Sequence, residues 1–334
     1  MRIVFHIGMG KTGTTSIQFA LRNSAKALAS QKAAYLSMWF DEIDPAFKGL
    51  GGFTRFTAGS DQEKIARADR FYAYLVDRAD RDGIETFIFS NEGVFQAGAQ
   101  LEQFFRTLKA HGLSISFVAY LRDPMSWLPS AYTQWAIRHK TNEGPVQDFP
   151  SAARRLIGQY EGIRFWQQNF GDVLTVRPFE TGLDVVQDFA ATVGVTLPET
   201  ATRKLERAEP ADTLLRAMFN TRFSDNVLPD RFDRFVTNSS HAPVPALREM
   251  AERCFNHEGA EEVIAEKRDL FEYIRDSTGL DLLDGEPRPA KTPGEADLQR
   301  RVVDYLIEVN FDQAQRLKRL ERLVNDLKAQ GDGS

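Results

Sequence analysis

The chain has 334 residues and a mass of 37.8 kDa, with 42% hydrophobic and 27% charged residues, so it can bury a core and is not globally disordered. A net charge of −5 and a pI near 5.7 argue against a general nucleic-acid binder, which would be basic. The single cysteine, Cys254, excludes an intramolecular disulfide framework and a cysteine-rich zinc site, and we read it as a small buried residue rather than a nucleophile.

In chain order, Arg2–Ile7 is a β-branched and aromatic run that predicts a strand. The glycines Gly8, Gly10 and Gly13 follow, and then a helical spacing of Ile17, Leu21 and Leu28. A short strand is expected at Ala34–Leu36, a mobile loop over Lys48–Ser60, and a helix over Glu63–Arg81. Thr86–Ser90 predicts a buried strand that ends in Asn91–Glu92–Gly93. A helix over Leu101–Ala110 leads to a strand at Ser114–Leu121, with Arg122 at its carboxyl end. A further helix runs from about Trp127 to His139, with Pro129 in its first turn or bending it. Ile157–Phe170 predicts a helix and Val173–Arg177 a strand.

Strands separated by helices imply an α/β fold: a parallel sheet covered on both faces, with ligands at the carboxyl ends of its strands. Beyond about Glu199 only helical signals and polar connectors such as Gly285–Gly294 remain. We therefore expect a core over 1–195, a helical region over 196–329 completing the same domain, and a disordered tail over 330–334. Near the end, Leu317, Leu320, Val324 and Leu327 form a heptad-like stripe. We expect that helix to pack on its own domain, with self-association as the alternative. The N-terminal apolar run is too short for a signal segment, and no stretch reaches about 18 apolar residues, so a cytoplasmic protein without a membrane span is expected.

The strand, glycine loop and helix at the N-terminus carry the chemistry. A helix start exposes backbone N–H groups whose partial positive charge suits an anion. Glycines let the backbone approach that anion closely, Lys11 adds a cation, and Thr12, Thr14, Thr15 and Ser16 add hydroxyls. This pattern points to a phosphate. The nucleotide-triphosphatase pattern fails, because its first glycine would fall on Phe5. Gly8, Gly10 and Gly13 match the dinucleotide spacing formally, but Asn23–Lys32 offers no acidic residue for a ribose.

The segment KTGTTSIQ at 11–18 resembles the 5′-phosphosulfate loop of sulfotransferases, which use 3′-phosphoadenosine 5′-phosphosulfate (PAPS) as donor. A second element is similar too: Arg122, at a strand end, is followed eight residues later by Ser130. In that superfamily such a pair binds the 3′-phosphate. SNEG at 90–93, Trp166 to Gly171, and VRPFE at 176–180 also resemble bacterial members, so the likeness covers roughly residues 1–195.

The resemblance implies the P-loop NTPase-like sulfotransferase fold, PAPS as donor co-substrate without a metal, and Gly10, Lys11, Thr12, Gly13, Thr14, Thr15, Ser16, Arg122 and Ser130 as donor-binding residues. It implies a hydroxyl acceptor, which by analogy with bacterial relatives is a carbohydrate or glycan, and no nucleic-acid partner. Lys11 would meet the bridging oxygen, and Glu92 is the candidate general base, with His6 and His139 behind it. Trp39, Trp127, Trp135 and Tyr132 are candidates to stack on adenine or a sugar, against a plain packing role. The late basic loop that grips the 3′-phosphate in many relatives has no counterpart, and Arg203, Lys204 or Arg207 would have to replace it. Two readings compete: a kinase using Mg-ATP, with Asp123 on the metal, and a non-catalytic nucleotide-binding or assembly protein.

Overall fold

The computed structural model describes residues 1–180, 182–198, 210–235, 247–284 and 293–331, with backbone only at 233–235 and 325–331. β1 (Arg2–Gly8) runs through the glycine loop into α1 (Thr14–Asn23), α2 (Ala25–Ala29) and β2 (Ala33–Tyr35). Next come α3 (Gly49–Thr57), α4 (Asp61–Asp82), β3 (Thr86–Ser90), α5 (Gly93–Gln96), α6 (Gly98–Ala110) and β4 (Ser114–Arg122). α7 (Pro124–Tyr132), α8 (Phe149–Leu156), α9 (Gly162–Phe170), β5 (Leu174–Phe179) and α10 (Val185–Val193) follow. The remainder is helical among the described residues: α11 (Pro210–Asn220), α12 (Pro229–Phe235), α13 (Leu247–Phe255), α14 (Ala260–Ala265), α15 (Arg268–Thr278) and α16 (Glu295–Gly331).

The five strands form one parallel sheet in the order β2-β3-β1-β4-β5. Alternation along the strands sends side chains to two different cores. Phe5, Phe89 and Phe117 face a phenylalanine cluster with Phe71 of α4, Phe105 of α6 and Trp166 of α9. Val4, Ile88, Val118 and Tyr120 face the other way, against Ile17 and Leu21 of α1 and Val186 and Phe189 of α10. Each fully buried Phe contributes about 1.5–3 kcal/mol. Both faces are thus covered, as a parallel sheet requires.

Contacts divide the chain into two compact units. One comprises Met1–Ala131, Ala153–Glu206 and Gly259–Pro289, and holds the sheet. The other comprises Tyr132–Ala152, Arg207–Glu258 and Ala290–Ser334. In it, α11 packs on α13 and α16, and Lys140 and Val227 form an isolated antiparallel bridge. Within this unit the Cys254 thiol is buried, which pushes its pKa up to about 12 and leaves it an inert packing residue.

Several sequence expectations are corrected. The segment 48–60 is not a loop: it contains α3, held by Phe56, whose ring stacks on Phe40 at 3.8 Å. Four glycines lowered its helix propensity, and tertiary burial of one phenylalanine overrode them. Ser60 and Glu63 then form a reciprocal capping box that starts α4. The helix expected to reach His139 is α-helical only to Tyr132 and π-helical over Thr133–Arg138, with Pro129 inside α7 rather than in its first turn. The helix expected over 157–170 opens with a 3-10 stretch, Ile157–Glu161. Among its described side chains, α16 packs on its own unit through Leu298 and Val302, which are buried, whereas Leu317, Leu320 and Val324 are 47–60% exposed. It extends to Gly331, and the tail expected over 330–334 lies otherwise outside the described residues, as do Arg203, Lys204 and Arg207.

Candidate phosphate-loop site

The strand order reverses at β1, which lies between β3 and β4, and the carboxyl ends of these three strands meet there. The glycine loop leaves β1 there, Glu92 follows β3 on one side, and Arg122 ends β4 on the other.

The loop backbone is unusual. Gly8, Lys11 and Gly13 all have positive φ, at 91°, 67° and 85°. A left-handed lysine is uncommon and costs on the order of 1–3 kcal/mol, so the surroundings must hold it there. At Gly8 and Gly13 only glycine fits. A Cβ on Gly8 would lie 2.8 Å from Cα and Cβ of Glu92, and one on Gly13 would lie 2.7 Å from Cγ1 of Val185. Trp127 holds the loop from α7, its indole N–H donating to the Gly10 carbonyl at 2.8 Å. The Thr12 hydroxyl donates to the Met9 carbonyl.

α1 begins at Gly13 with no side-chain cap and no acidic residue in its first turn, so neither a cap nor a carboxylate offsets the positive end of the helix there. The Thr14 hydroxyl is buried and has no hydrogen-bond partner. An orphaned buried hydroxyl costs roughly 1–3 kcal/mol, which an anion lodged in the loop would relieve. Thr15 is exposed and Ser16 half-buried, and the Ser16 N–H donates back to the Gly13 carbonyl at 2.9 Å.

Arg122 lies against this loop. One guanidinium nitrogen donates to the Lys11 carbonyl at 3.4 Å and another to the Ser126 hydroxyl at 3.0 Å. Its guanidinium carbon sits 5.6 Å from the centre of the Phe179 ring. The Tyr160 hydroxyl donates to the Arg122 carbonyl, and the Tyr160 ring meets Trp127 edge-on at 5.2 Å. Loop, arginine and α7 are therefore tied into one bonded set.

Glu92 stands across β1. Gln18 donates from its amide to the Ser90 carbonyl at 2.9 Å and to the Glu92 carboxylate at 3.4 Å. Glu92 occupies the residue before α5, yet its side chain makes no cap. Asn91 does that, its side-chain oxygen accepting from the Gly93 N–H at 2.8 Å. The Tyr35 hydroxyl, buried and without a partner, is pushed up to about 12 by burial, and the negative charge of Glu92 adds to the rise.

The sequence-selected residues separate on this geometry. Gly10, Lys11, Gly13, Thr14, Thr15 and Ser16 lie in the loop and the first turn of α1, with Arg122 against Lys11 and Glu92 against Gly8. Thr12 is fully buried and its hydroxyl is spent bracing the loop. Ser130 is one helical turn beyond Ser126, the serine that contacts Arg122. His6 is buried inside β1, bonded through Nδ1 to the Ser90 hydroxyl at 2.7 Å, and burial lowers its pKa to about 3, so its ring is neutral. His139 belongs to the second unit, where burial lowers its pKa. Trp127 is a loop brace rather than a stacking surface. Asp123 caps α7, its carboxylate accepting from the N–H groups of Met125 at 3.1 Å and Ser126 at 2.8 Å. Sequence reasoning missed Ser126, Gln18 and Asn91. Ser126 was within reach: Asp123–Pro124 marks a helix start, and Ser126 is one turn from Arg122.

The class that fold and site define is an α/β protein with a parallel sheet flanked by helices and a glycine-rich loop at the point where its strand order reverses. No family profile and no curated protein matches the chain. Among solved structures, a sulfotransferase from Alicyclobacillus acidocaldarius is similar at 14% identity and a TM-score of 0.36, over 67% of this chain and 96% of that one. Among the described residues no group of three or more His, Cys, Asp or Glu could hold a metal ion, and no helix is long and apolar enough to cross a membrane.

Proposed function

We propose that this chain is a PAPS-dependent sulfotransferase that moves a sulfuryl group to a hydroxyl of a carbohydrate or glycan. One observation carries the reading: Arg122 bonds the main-chain carbonyl of Lys11 at 3.4 Å, so a strand end bearing an arginine and a glycine loop bearing a lysine, distant in sequence, lie side by side. An adenosine nucleotide with phosphates at both ends of its ribose needs two such grips. The orphaned Thr14 hydroxyl and the uncapped start of α1 suit the 5′ end. Arg122, with Ser126 beside it and Ser130 a turn further on, suits the 3′-phosphate, where a fork of N–H donors is worth more than a point charge.

In the transfer, the acceptor oxygen forms a bond to sulfur as the bond from sulfur to the bridging oxygen breaks. The electron pair of that bond stays on the 5′-phosphate, and 3′,5′-adenosine bisphosphate leaves. Positioning and charge stabilisation do most of the work. Lys11 offsets the charge building on the bridging oxygen, and the Thr14 and Thr15 donors hold the phosphate behind it. Glu92 takes the proton lost by the acceptor, with Gln18 orienting its carboxylate. The Mg-ATP kinase reading loses support because Asp123 is committed to capping α7.

The test is donor consumption across an acceptor panel, with Lys11→Ala as control. Lys11→Ala is expected to lower turnover by about 10²–10³ while the circular dichroism spectrum is retained. In parallel, 3′,5′-adenosine bisphosphate without metal should raise the melting temperature. Stabilisation by Mg-ATP but not by the bisphosphate would replace this reading with the kinase.

A further inference from the structure

α16 carries two stripes. Leu298 and Val302 are buried against the second unit, and the Tyr305 hydroxyl donates to Asp212 of α11 at 3.1 Å. The second stripe has no cover. Val303, Leu306, Leu317, Leu320 and Val324 are all exposed, at 42–60%. With Asn310 and Gln313 they fall at spacings of three and four in unbroken alternation, 303-306-310-313-317-320-324. That is a heptad seam with Val303, Asn310, Leu317 and Val324 at its a positions and Leu306, Gln313 and Leu320 at its d positions. The helix has 37 residues, about 55 Å at 1.5 Å each, and its side chains from Phe311 to Val324 are almost all exposed. An apolar stripe on an uncovered helix of that length is unfavourable in water unless something packs on it.

We infer that α16 pairs with α16 of a second copy as a parallel, in-register, two-stranded coiled coil. Two features of the seam select that occupant. Asn310 sits alone at an a position: in register it meets Asn310 of the second copy, and the two amides can bond each other. A parallel partner shifted by one heptad would bury it against Val303 or Leu317, so Asn310 fixes the register, and the orientation rests on the charges beside the seam. The flanking charges agree. Arg316 is at a g position and Glu321 at the following e position, so in a parallel pair each Arg316 faces Glu321 of the second copy. Within its own helix Arg316 also pairs with Asp312 at 3.0 Å, both exposed, which leaves the seam-side contact compatible with that bond. The β-branched residues at two a positions with leucines at two d positions favour two strands.

Sedimentation velocity on the full chain at micromolar concentration is expected to give one species of twice 37.8 kDa. A monomer overturns the inference. Leu317→Asp with Leu320→Asp should halve the mass, and a persisting dimer overturns it, because the contact would then lie elsewhere. Surface charge reversals test orientation without risk to the fold. Arg316→Glu chains and Glu321→Arg chains should each be monomeric alone and form mixed dimers when combined. No gain on mixing overturns the parallel arrangement. Finally, Asn310→Cys should cross-link under mild oxidation, against a blank background because Cys254 is buried. Its failure to do so overturns the register.

Discussion

Replacing Gly8 by alanine separates two costs that the loop geometry imposes. Gly8 has φ 91°, and an added Cβ would lie 2.8 Å from both Cα and Cβ of Glu92. The conformational cost of alanine in the left-handed region is about 1–2 kcal/mol, partly offset by about 0.4–1 kcal/mol from the stiffer unfolded chain. The steric cost is that of overpacking, about 1–3 kcal/mol, because the obstacle is main chain rather than a flexible tip. Gly112 supplies the control. Its φ is 79°, and an added Cβ would meet nothing within 4 Å. Gly112→Ala therefore carries the conformational cost alone. We expect urea unfolding to show Gly8→Ala less stable than Gly112→Ala by about 1–3 kcal/mol. We also expect a fall in kcat for Gly8→Ala only, because Glu92 is what must move. A difference under about 0.5 kcal/mol would refute the close packing of loop against Glu92.

The other predictions concern the same site. Arg122→Ala removes a charge-assisted contact worth about 1.5–3 kcal/mol, so the Kd for 3′,5′-adenosine bisphosphate should rise about 10- to 150-fold, with binding of 5′-AMP little changed; calorimetry with both nucleotides decides it, and equal losses would remove Arg122 from the 3′-phosphate. Glu92→Gln should lower kcat by about 10²–10⁴ with donor affinity retained, and full activity would leave the base elsewhere. His6 titrates near 3 in the fold and near 6.5 when unfolded. A lowered histidine gives stability that is present above the unfolded value and lost as pH falls toward the folded one, at up to about 1.4 kcal/mol per pH unit. Urea midpoints between pH 7 and 4 should therefore fall less steeply for His6→Gln than for the parent, and identical slopes would contradict the buried neutral ring.

The elements that frame the loop were legible because their signals are local. The strand β1, the glycine loop and α1 are adjacent in sequence, and a left-handed turn before a helix start needs glycine wherever it occurs. Gly8, Glu92 and Arg122 were identifiable as residues at strand ends before any contact was known. What stayed hidden depended on partners remote in sequence. Trp127 is a tryptophan in a helix until the Gly10 carbonyl is placed under its N–H. Thr12 reads like its hydroxyl neighbours until its hydroxyl is found to donate to the Met9 carbonyl. That Ser126 bonds Arg122 turned on where α7 starts. α3 shows the same limit in the fold: its glycines describe a loop, and Phe40 stacked on Phe56 makes it a helix.

The sequence alone determined the alternation of strands and helices, hence a parallel sheet, because hydrophobic period and turn chemistry act over a few residues. It also determined a glycine-rich turn carrying Lys11 between β1 and α1. The tertiary structure alone decided the strand order that sets β1 between β3 and β4, and with it the meeting of Arg122 and Glu92 at that loop. It also decided which stripe of α16 is buried and which is left to water. These outcomes depend on which surfaces exclude water from one another across long stretches of chain, and residue spacing carries no record of that.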